Sequence, residues 1–425
     1  MIILKQHTNH QIHIDILPTE KFKTTMITFK FMAPLDYETI TARSLLSKVL
    51  VRATKKWPTD KSFNKQLSEL YGAYINSFVS KFKDKHVITI SLEIVNERYL
   101  KDTTPLFEKG LNLLKEVIMN PLVENNSFNS TFVTQEKSLL HKKIEAMIDN
   151  KAQYSFINLL KYMFKSEAYR YLAIGQIENI ARITNESLYD TYKSMINNDM
   201  CSVYVVGNVN KKEVTSLIEN SFSLSSTTFD FNNHNVNTDC NAQSTETIIE
   251  KDTVDQAKLN LGYRFPTHYG NEDYYALVVL NTMFGGDPSS VLFNEVREKQ
   301  SLAYSIHSQL DGKNGYLFVL SGVSVEKYDT AKNTIIEEFE KFKVGEFSEE
   351  KLALAKKIII SQRQEIADRP KGIIEVMQNQ LLLNQPQSDK EYMELINKVT
   401  KEDVVKMANQ AYLDTIYVLT KGGQS

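Results

Sequence analysis

The sequence predicts an α+β fold in which two similar halves each combine a sheet with helices. Each half opens with alternating apolar and polar side chains, in residues 25–32 and 258–265, as expected of a half-buried strand. Each half closes with a helical pattern that leads into a buried strand, in residues 183–209 and 399–422. Strands are grouped beside helices rather than alternating with them one by one, which favours α+β over a doubly wound parallel sheet.

The length and one polar stretch predict how the halves are divided. A chain of 425 residues exceeds the usual size of one domain. Residues 223–246 are rich in Ser, Thr and Asn and have no apolar periodicity, which is typical of a linker. We therefore predict an N-terminal domain at 1–222, a linker at 223–246 and a C-terminal domain at 247–425.

The other elements of the first half follow from their periodicity. Residues 42–54 are predicted as an amphipathic helix. Residues 86–94 alternate as a second strand, with Ile and Leu side chains on one face. Residues 107–118 and 132–149 are predicted as two further helices.

The second half repeats this order. Residues 331–342 and 349–368 are predicted as the counterpart helices. Thr184 and Thr400 precede the closing helix of each half and are predicted N-caps, with an acid in the first turn, where the helix dipole favours it.

Composition and charge exclude several classes of function. With 50 Lys and Arg against 52 Asp and Glu, the net charge of −2 argues against nucleic-acid or membrane-surface binding by the whole molecule. Two cysteines, Cys201 and Cys240, fit a reducing compartment. The start of the chain has no basic leader with a cleavage site, and no run of 18 apolar residues occurs, so we expect a cytoplasmic protein.

Some candidate sites are weak. His7, His10 and His13 suit neither one strand face nor a companion set of acids, so a metal tract is not expected. His141 is not expected to be a metal ligand. The basic residues between 43 and 65 lack interleaved aromatic side chains, so a solvated helix face is favoured over RNA binding.

Residues 42–54 read ARSLLSKVLVRAT, where a metallopeptidase helix would carry H-x-x-E-H. That motif places two imidazoles one turn apart to hold zinc, and its glutamate polarises the attacking water. Ser44, Ser47 and Lys48 stand at the matching positions. A serine hydroxyl is a poor zinc ligand, and a lysine ammonium repels the ion.

A second motif lies in residues 281–306, NTMFGGDPSSVLFNEVREKQSLAYSI. Gly285 and Gly286 open a tight turn that leads into a helix. A phosphate-binding loop is excluded because neither the P-loop lysine pattern nor G-x-G-x-x-G is present. Arg297 and Tyr304 belong to the R-E-K-x-x-L-A-Y signature that follows.

Together with residues 63–73 (FNKQLSELYGA) and Asn76, these motifs resemble the pitrilysin/insulinase family of inverted-motif zinc peptidases, which includes the mitochondrial processing peptidases. The resemblance covers essentially the whole chain. It implies duplicated metallopeptidase-like domains, each a mainly antiparallel sheet with helices packed on one face. The family's third zinc ligand is a glutamate seven residues after another acid; Glu136 matches that acid, but Lys143 occupies the ligand position.

The resemblance also implies a substrate-binding site at Arg297 and Tyr304, with the glycine-rich loop of Gly285 and Gly286. In the family, the arginine and tyrosine face the zinc from the opposite domain and donate to a carbonyl oxygen that becomes an oxyanion. The chain departs from the family at Gln300–Ser301, where Arg-Gly or Lys-Gly is usual. That departure concerns the geometry of the loop.

The resemblance therefore implies a zinc-less, two-domain bacterial subunit with no catalytic residue, metal or cofactor of its own. Because family members need four such domains to close a peptide chamber, we expect a heterodimer with a paralogous, zinc-bearing peptidase subunit that acts on peptides. Any peptidase activity would then need that partner. The alternative is a peptide-binding or scaffold protein with no proteolytic role, which adds an extended peptide to a sheet edge.

Overall fold

The computed structural model describes residues 12–101, 104–224 and 244–422. Most of the predicted linker therefore lies outside the described residues, as do Cys240, His7 and His10.

The first half of the chain contains strands β1 to β7 and helices α1 to α8 within its described residues. In chain order they are β1 (His13–Pro18), β2 (Thr24–Pro34), α1 (Tyr37–Val49), α2 (Asp60–Glu69), β3 (Tyr74–Phe82), β4 (Lys85–Val95), α3 (Leu106–Met119), β5 (Val123–Glu124), β6 (Ser127–Phe128), α4 (Ser130–Asp149), α5 (Lys151–Met163), α6 (Ile177–Ile180), α7 (Asn185–Asn198), β7 (Met200–Gly207) and α8 (Lys211–Ser221).

The second half contains β8 to β12 and α9 to α14 within its described residues. They are β8 (Glu246–Asp252), β9 (Ala257–Arg264), α9 (Tyr274–Asn281), two π-helical segments (Thr282–Gly286 and Leu292–Lys299), β10 (Ala303–Asp311), β11 (Tyr316–Val323), α10 (Tyr328–Lys343), α11 (Glu349–Ala367), α12 (Pro370–Leu382), α13 (Asp389–Lys398), α14 (Lys401–Asn409) and β12 (Tyr412–Lys421).

The two large sheets have the same topology. The first has the order β1-β7-β2-β4-β3 and the second the order β8-β12-β9-β11-β10. In each, the first strand named pairs in parallel with its neighbour and all other pairs are antiparallel. The predicted α+β duplication with mainly antiparallel sheets is confirmed.

Each sheet packs its apolar face against helices. Phe29, Ile90 and Val203 of the first sheet share one core with the buried side chains of α1, α3, α7 and α8. Leu261 and Val418 of the second sheet share another with α9, α10, α11 and α14. The two-residue period of the strands places these side chains on one face.

The chain forms two compact units that exchange two segments. Within the described residues, the first unit comprises residues 12–145, 171–224 and 369–378, and the second comprises residues 146–170, 244–368 and 379–422. The compact units thus differ from the contiguous halves predicted at 1–222 and 247–425.

Helix α5 belongs to the second unit and packs on the face of the sheet opposite the main helices. A Cβ built on Gly262 of β9 would fall 2.5 Å from the sulfur of Met163, so the missing side chain permits the close approach of helix and strand. Asn158 Nδ2 donates to the hydroxyl of Tyr417 at 3.1 Å. Arg264 donates to the Met163 carbonyl at 2.8 Å, where the C-terminus of the helix favours a cation.

The start of helix α12 makes the corresponding contact with the first sheet. Lys30 of β2 is buried and lies 2.6 Å from the carboxylate of Glu375. It also donates to the amide oxygen of Gln378. Lys371 lies 4.8 Å from the centre of the Phe78 ring, within the range of a cation–π interaction.

Local signals in the sequence predicted the bounds of four helices, α3, α4, α10 and α11, to within three residues. Thr184 and Thr400 are N-caps, as predicted, and each also forms a capping box. The helix predicted at 42–54 differs: α1 begins at Tyr37, because Asp36 accepts from the backbone of Glu38 at 3.0 Å, and ends at Val49. Beyond residue 50 the chain is no longer helical, and Thr54 forms an isolated antiparallel β-bridge with Pro121. None of the helices in the described residues combines the length and apolarity needed to cross a bilayer.

Candidate functional site

A buried polar cluster fixes helix α1 against the first sheet. Arg43 is 3% exposed and its guanidinium bonds both carboxylate oxygens of Asp199, at 2.7 and 3.2 Å. Its Nε donates to Nδ1 of His86 at 3.1 Å, so Nε2 of that imidazole is the donor to the Ala173 carbonyl at 2.8 Å. Burial and the neighbouring guanidinium lower the pKa of His86 to about 3. The imidazole is therefore neutral.

The basic stretch between 43 and 65 is more than a solvated face. The prediction of a solvated helix face is wrong for Arg43, because this guanidinium is buried and Asp199 compensates its charge. Arg52 is also engaged, by Asp60 at 2.8 Å and by Glu136 at 2.5 Å. Side-chain charge on a helix thus did not reveal which residues face the interior.

The residues at the positions of the zinc motif make contacts within the protein. The Ser47 hydroxyl is buried and donates to the Ser44 carbonyl one turn earlier, at 2.7 Å. The Lys48 ammonium donates to the carbonyl of Ser77 in β3. Both groups therefore act on the backbone, which is a structural use of positions that would carry chemistry in a zinc peptidase.

Helix α4 brings Lys143 to the same place. Ser44, Lys48, Glu136 and Lys143 line one cavity of about 320 Å³ between α1, β3 and α4. Burial and the charge of Lys143 lower the pKa of Lys48. The structure thus brings together Ser44, Lys48 and Lys143, which the sequence placed in one degenerate metal site, whereas Ser47 does not line the cavity.

These side chains do not fit a zinc ion. Two ammonium groups would face the cation, and the acid beside them, Glu136, is already bonded to Arg52 at 2.5 Å. Across the part of the chain that the structure describes, no group of three His, Cys, Asp or Glu side chains could hold a metal ion. His141, the nearest imidazole on α4, bonds Glu145 at 3.0 Å.

A second cavity, of about 630 Å³, lies in the second unit and contains the predicted substrate-binding pair. Arg297 and Tyr304 both line it. The Arg297 guanidinium lies 4.6 Å from the centre of the Phe293 ring, within the range of a cation–π interaction. Arg297 Nε lies 3.6 Å from Glu298 Oε1, a loose ion pair.

Backbone irregularities place Tyr304. The pairing of β10 with β11 shifts register between Ala303 and Ser305, which makes Tyr304 the bulged residue and turns its side chain outward. Tyr304 is 61% exposed, an unusual state for a large aromatic side chain. The sequence predicted the residue but contained no sign of the bulge.

Ser301 takes up the conformation that the departure from the family pattern put in doubt. Its φ of 48° lies in the left-handed region, which glycine adopts without strain. The turn between Arg297 and Tyr304 is therefore formed despite the serine. Ser324, Glu326 and Lys327, which also line this cavity, were missed by sequence reasoning because they come from a different loop.

The glycines of the predicted loop serve packing in this structure. A Cβ on Gly285 would fall 2.7 Å from the backbone nitrogen of Ser308, and one on Gly286 would fall 2.6 Å from the Asn281 amide. Neither glycine lines the cavity of Arg297 and Tyr304. A contact of Gly285 and Gly286 with substrate stays a prediction.

Several known proteins are similar to this chain. Residues 182–359 match the family model described as Peptidase M16 inactive domain. The "Probable inactive metalloprotease YmfF" of Bacillus subtilis is 41% identical over 95% of this chain and 94% of its own length. An "Uncharacterized zinc protease YmxG" of the same organism is 23% identical over 75% of this chain and 78% of its own.

A solved structure has the same fold as this chain. A conserved protein from Enterococcus faecalis V583 has a TM-score of 0.89 and 29% identity, and the match covers 97% of each chain. Because the 41% identity extends over nearly the whole chain, the chain belongs to the M16 family of peptidases, the pitrilysin/insulinase family, as an inactive metalloprotease homologue.

Proposed function

We propose that this chain is the non-catalytic, substrate-gripping subunit of a heterodimeric zinc metallopeptidase that acts on peptides. The observation that carries the proposal is the contrast between two cavities. The first contains Lys48 and Lys143 at the positions of zinc ligands, whereas the second keeps Arg297 beside an exposed Tyr304.

The chemistry of the second cavity suits a peptide carbonyl. A guanidinium and a phenol are both donors, and each strengthens its hydrogen bond as a carbonyl oxygen becomes an oxyanion. Within the described residues, the Tyr304 hydroxyl has no hydrogen-bond partner in the protein, so it is available to a ligand. Among the described residues, no group of three His, Cys, Asp or Glu side chains beside this pair could hold a metal ion, so the water-activating zinc would come from a second subunit.

A paralogous subunit is the natural source of that zinc. Bacillus subtilis carries both an inactive metalloprotease that is similar to this chain and a relative described as a zinc protease. Their coexistence in one organism supports a pairing of an inactive chain with an active one. A cytoplasmic location is part of the proposal, and the free, buried thiol of Cys201 agrees with a reducing compartment.

The second candidate function is a peptide-binding or scaffold protein with no proteolytic role. It is favoured by the position of Tyr304 in β10, an edge strand of the second sheet, where an extended peptide could add a strand. The cavity would then hold a peptide without cleaving it.

Mixing separates the two functions. The full chain and a zinc-bearing M16 paralogue from the same genome are purified separately, then tested alone and together on a library of fluorogenic peptides. We expect cleavage only in the mixture, together with a complex of one copy of each chain in multi-angle light scattering. Peptide binding by this chain with no complex and no cleavage would favour the scaffold function.

A further inference from the structure

The cavity between α1, β3 and α4 has an excess of positive charge. Lys48 and Lys143 line it, and the negative charge of Glu136 is compensated by Arg52 at 2.5 Å. Lys143 is exposed, and within the described residues its ammonium has no partner in the protein. Two ammonium groups that share a partly buried site repel each other, and burial together with this repulsion lowers the pKa of Lys48. An anion placed between them would remove this repulsion.

The walls of the same cavity are apolar. Leu45, Val79, Leu140 and Ile174 line it, and Leu139 beside them is 55% exposed. An exposed leucine on an apolar wall next to two cations suits a ligand that has an anionic head and an apolar group.

The geometry of β3 indicates what carries that anion. This strand is at the edge of the first sheet, and its residues Phe78 and Val79 line the cavity beside Lys48, which donates to the carbonyl of Ser77. A polypeptide lying along β3 can therefore reach the cavity with its chain end. A volume of about 320 Å³ is at the lower end for ligand cavities, which suits one terminal residue better than a long acyl chain.

We propose that this cavity binds the C-terminal carboxylate of a peptide whose last side chain is apolar. The carboxylate lies between Lys48 and Lys143, and the side chain lies against Leu139 and Leu140. The cavity at the degenerate zinc site thus has a binding function of its own. It goes beyond the proposed peptidase assembly because it requires neither a second subunit nor cleavage.

Calorimetric titration of the full chain at low salt tests the proposal. The probes are the acetylated peptide Ac-Gly-Ser-Gly-Ala-Leu with a free carboxylate and the same peptide as a C-terminal amide. We expect the acid to bind about 10- to 100-fold more tightly, since hydrogen bonds to charged groups are stronger than neutral ones. Affinity for the acid should fall as salt is raised.

Two lysine variants on α4 provide a matched pair. Lys143→Gln should weaken binding of the acid about tenfold and leave the amide unchanged. Lys142→Gln removes another exposed charge one residue away, outside the cavity lining, and should behave like the unmodified protein. Leu139→Ser should weaken the binding of the peptide acid and of the peptide amide alike. Thermal melts confirm that each variant is folded.

Several outcomes would overturn the proposal. They are equal binding of acid and amide, equal behaviour of Lys143→Gln and Lys142→Gln, or no binding of the acid at millimolar concentration. Binding of laurate without binding of the peptide acid would overturn the peptide as the source of the carboxylate. Because this titration uses one chain, its failure leaves the two-subunit peptidase standing, and failure of the mixing experiment leaves this site standing.

Discussion

The two units share one sheet topology and differ in the side chains beside it. In the first, the cavity next to α1 has two lysines and a buried serine at positions where the family holds zinc. In the second, the cavity next to β10 keeps an arginine and an outward-facing tyrosine. The apolar contacts that stabilise the two sheets depend on about seventy buried side chains, whereas the chemistry of each cavity depends on three or four. A few substitutions can therefore remove one function while the fold persists.

The largest effect that we expect concerns the first unit. Arg43→Met should lower the free energy of unfolding by about 3–5 kcal/mol, because it leaves the Asp199 carboxylate buried without its cation. Urea unfolding measures the change. The double variant Arg43→Met, Asp199→Leu should recover part of the loss, since it removes both charges. A loss below about 1 kcal/mol for Arg43→Met would contradict the view that this ion pair holds α1.

The second prediction tests whether the cavity of the second unit acts on the transition state. In the complex with its zinc-bearing partner, Arg297→Ala or Tyr304→Phe should each lower kcat roughly 100- to 1,000-fold, the effect of removing one oxyanion donor. Lys299→Ala is the control, because Lys299 is exposed on the same helical segment and does not line the cavity. If both variants assemble and cleave like the unmodified complex, the scaffold function becomes the better one.

The third prediction concerns pH and applies to the first unit. The pKa of His86 is about 3 in the folded protein and near 6.5 in the unfolded chain, so the unfolded chain binds the extra proton between these values. The contribution of His86 to the free energy of unfolding is fully present above pH 6.5. It decreases as the pH is lowered below that value, by at most about 1.4 kcal/mol per pH unit. In His86→Gln, the amide can accept from Arg43 and donate to the Ala173 carbonyl as the imidazole does, but it does not titrate. Its unfolding free energy should therefore depend less on pH between 6 and 4 than that of the unmodified protein.

The fourth prediction concerns the turn of the second unit. Ser301→Gly should raise the free energy of unfolding by about 1 kcal/mol, because glycine adopts the left-handed conformation at φ 48° without strain. The gain is measured by urea unfolding. Ser324→Gly, at a residue of the same cavity with an extended φ of −68°, should not stabilise the protein. Equal effects at the two positions would argue against strain at Ser301.

The smallest effect is expected from a partial repair of the first cavity. Replacing Ser44 and Lys48 by His and Ser47 by Glu should give no stoichiometric zinc by elemental analysis, because the Lys143 ammonium remains where a carboxylate is needed. Adding Lys143→Glu to the triple variant should give zinc binding. Tight zinc binding by the triple variant would show that the third ligand position was assigned incorrectly.

Several strands and helix starts of this protein could be predicted from local sequence signals. Alternation in β2 and β4 predicted the strands, and the threonines before α7 and α14 predicted the N-caps, because both depend on near neighbours in the chain. The three degenerate positions Ser44, Lys48 and Lys143 could be placed in one site through the family resemblance, and the structure places them in one cavity.

The tertiary structure decided what depends on contacts between distant residues. Helix α5 has an apolar face, but nothing in its sequence indicates which surface this face packs on. The surface is the second sheet, where Gly262, about a hundred residues later, leaves room for the helix. The sequence predicted Arg43 as a surface charge, whereas in the structure it is bonded to Asp199 and His86. The outward turn of Tyr304 comes from a bulge that depends on the register with β11. The sequence by itself predicted several of the strands and helices and the candidate site residues, whereas burial, pairing and pKa arose from packing, because these properties belong to the environment of a side chain.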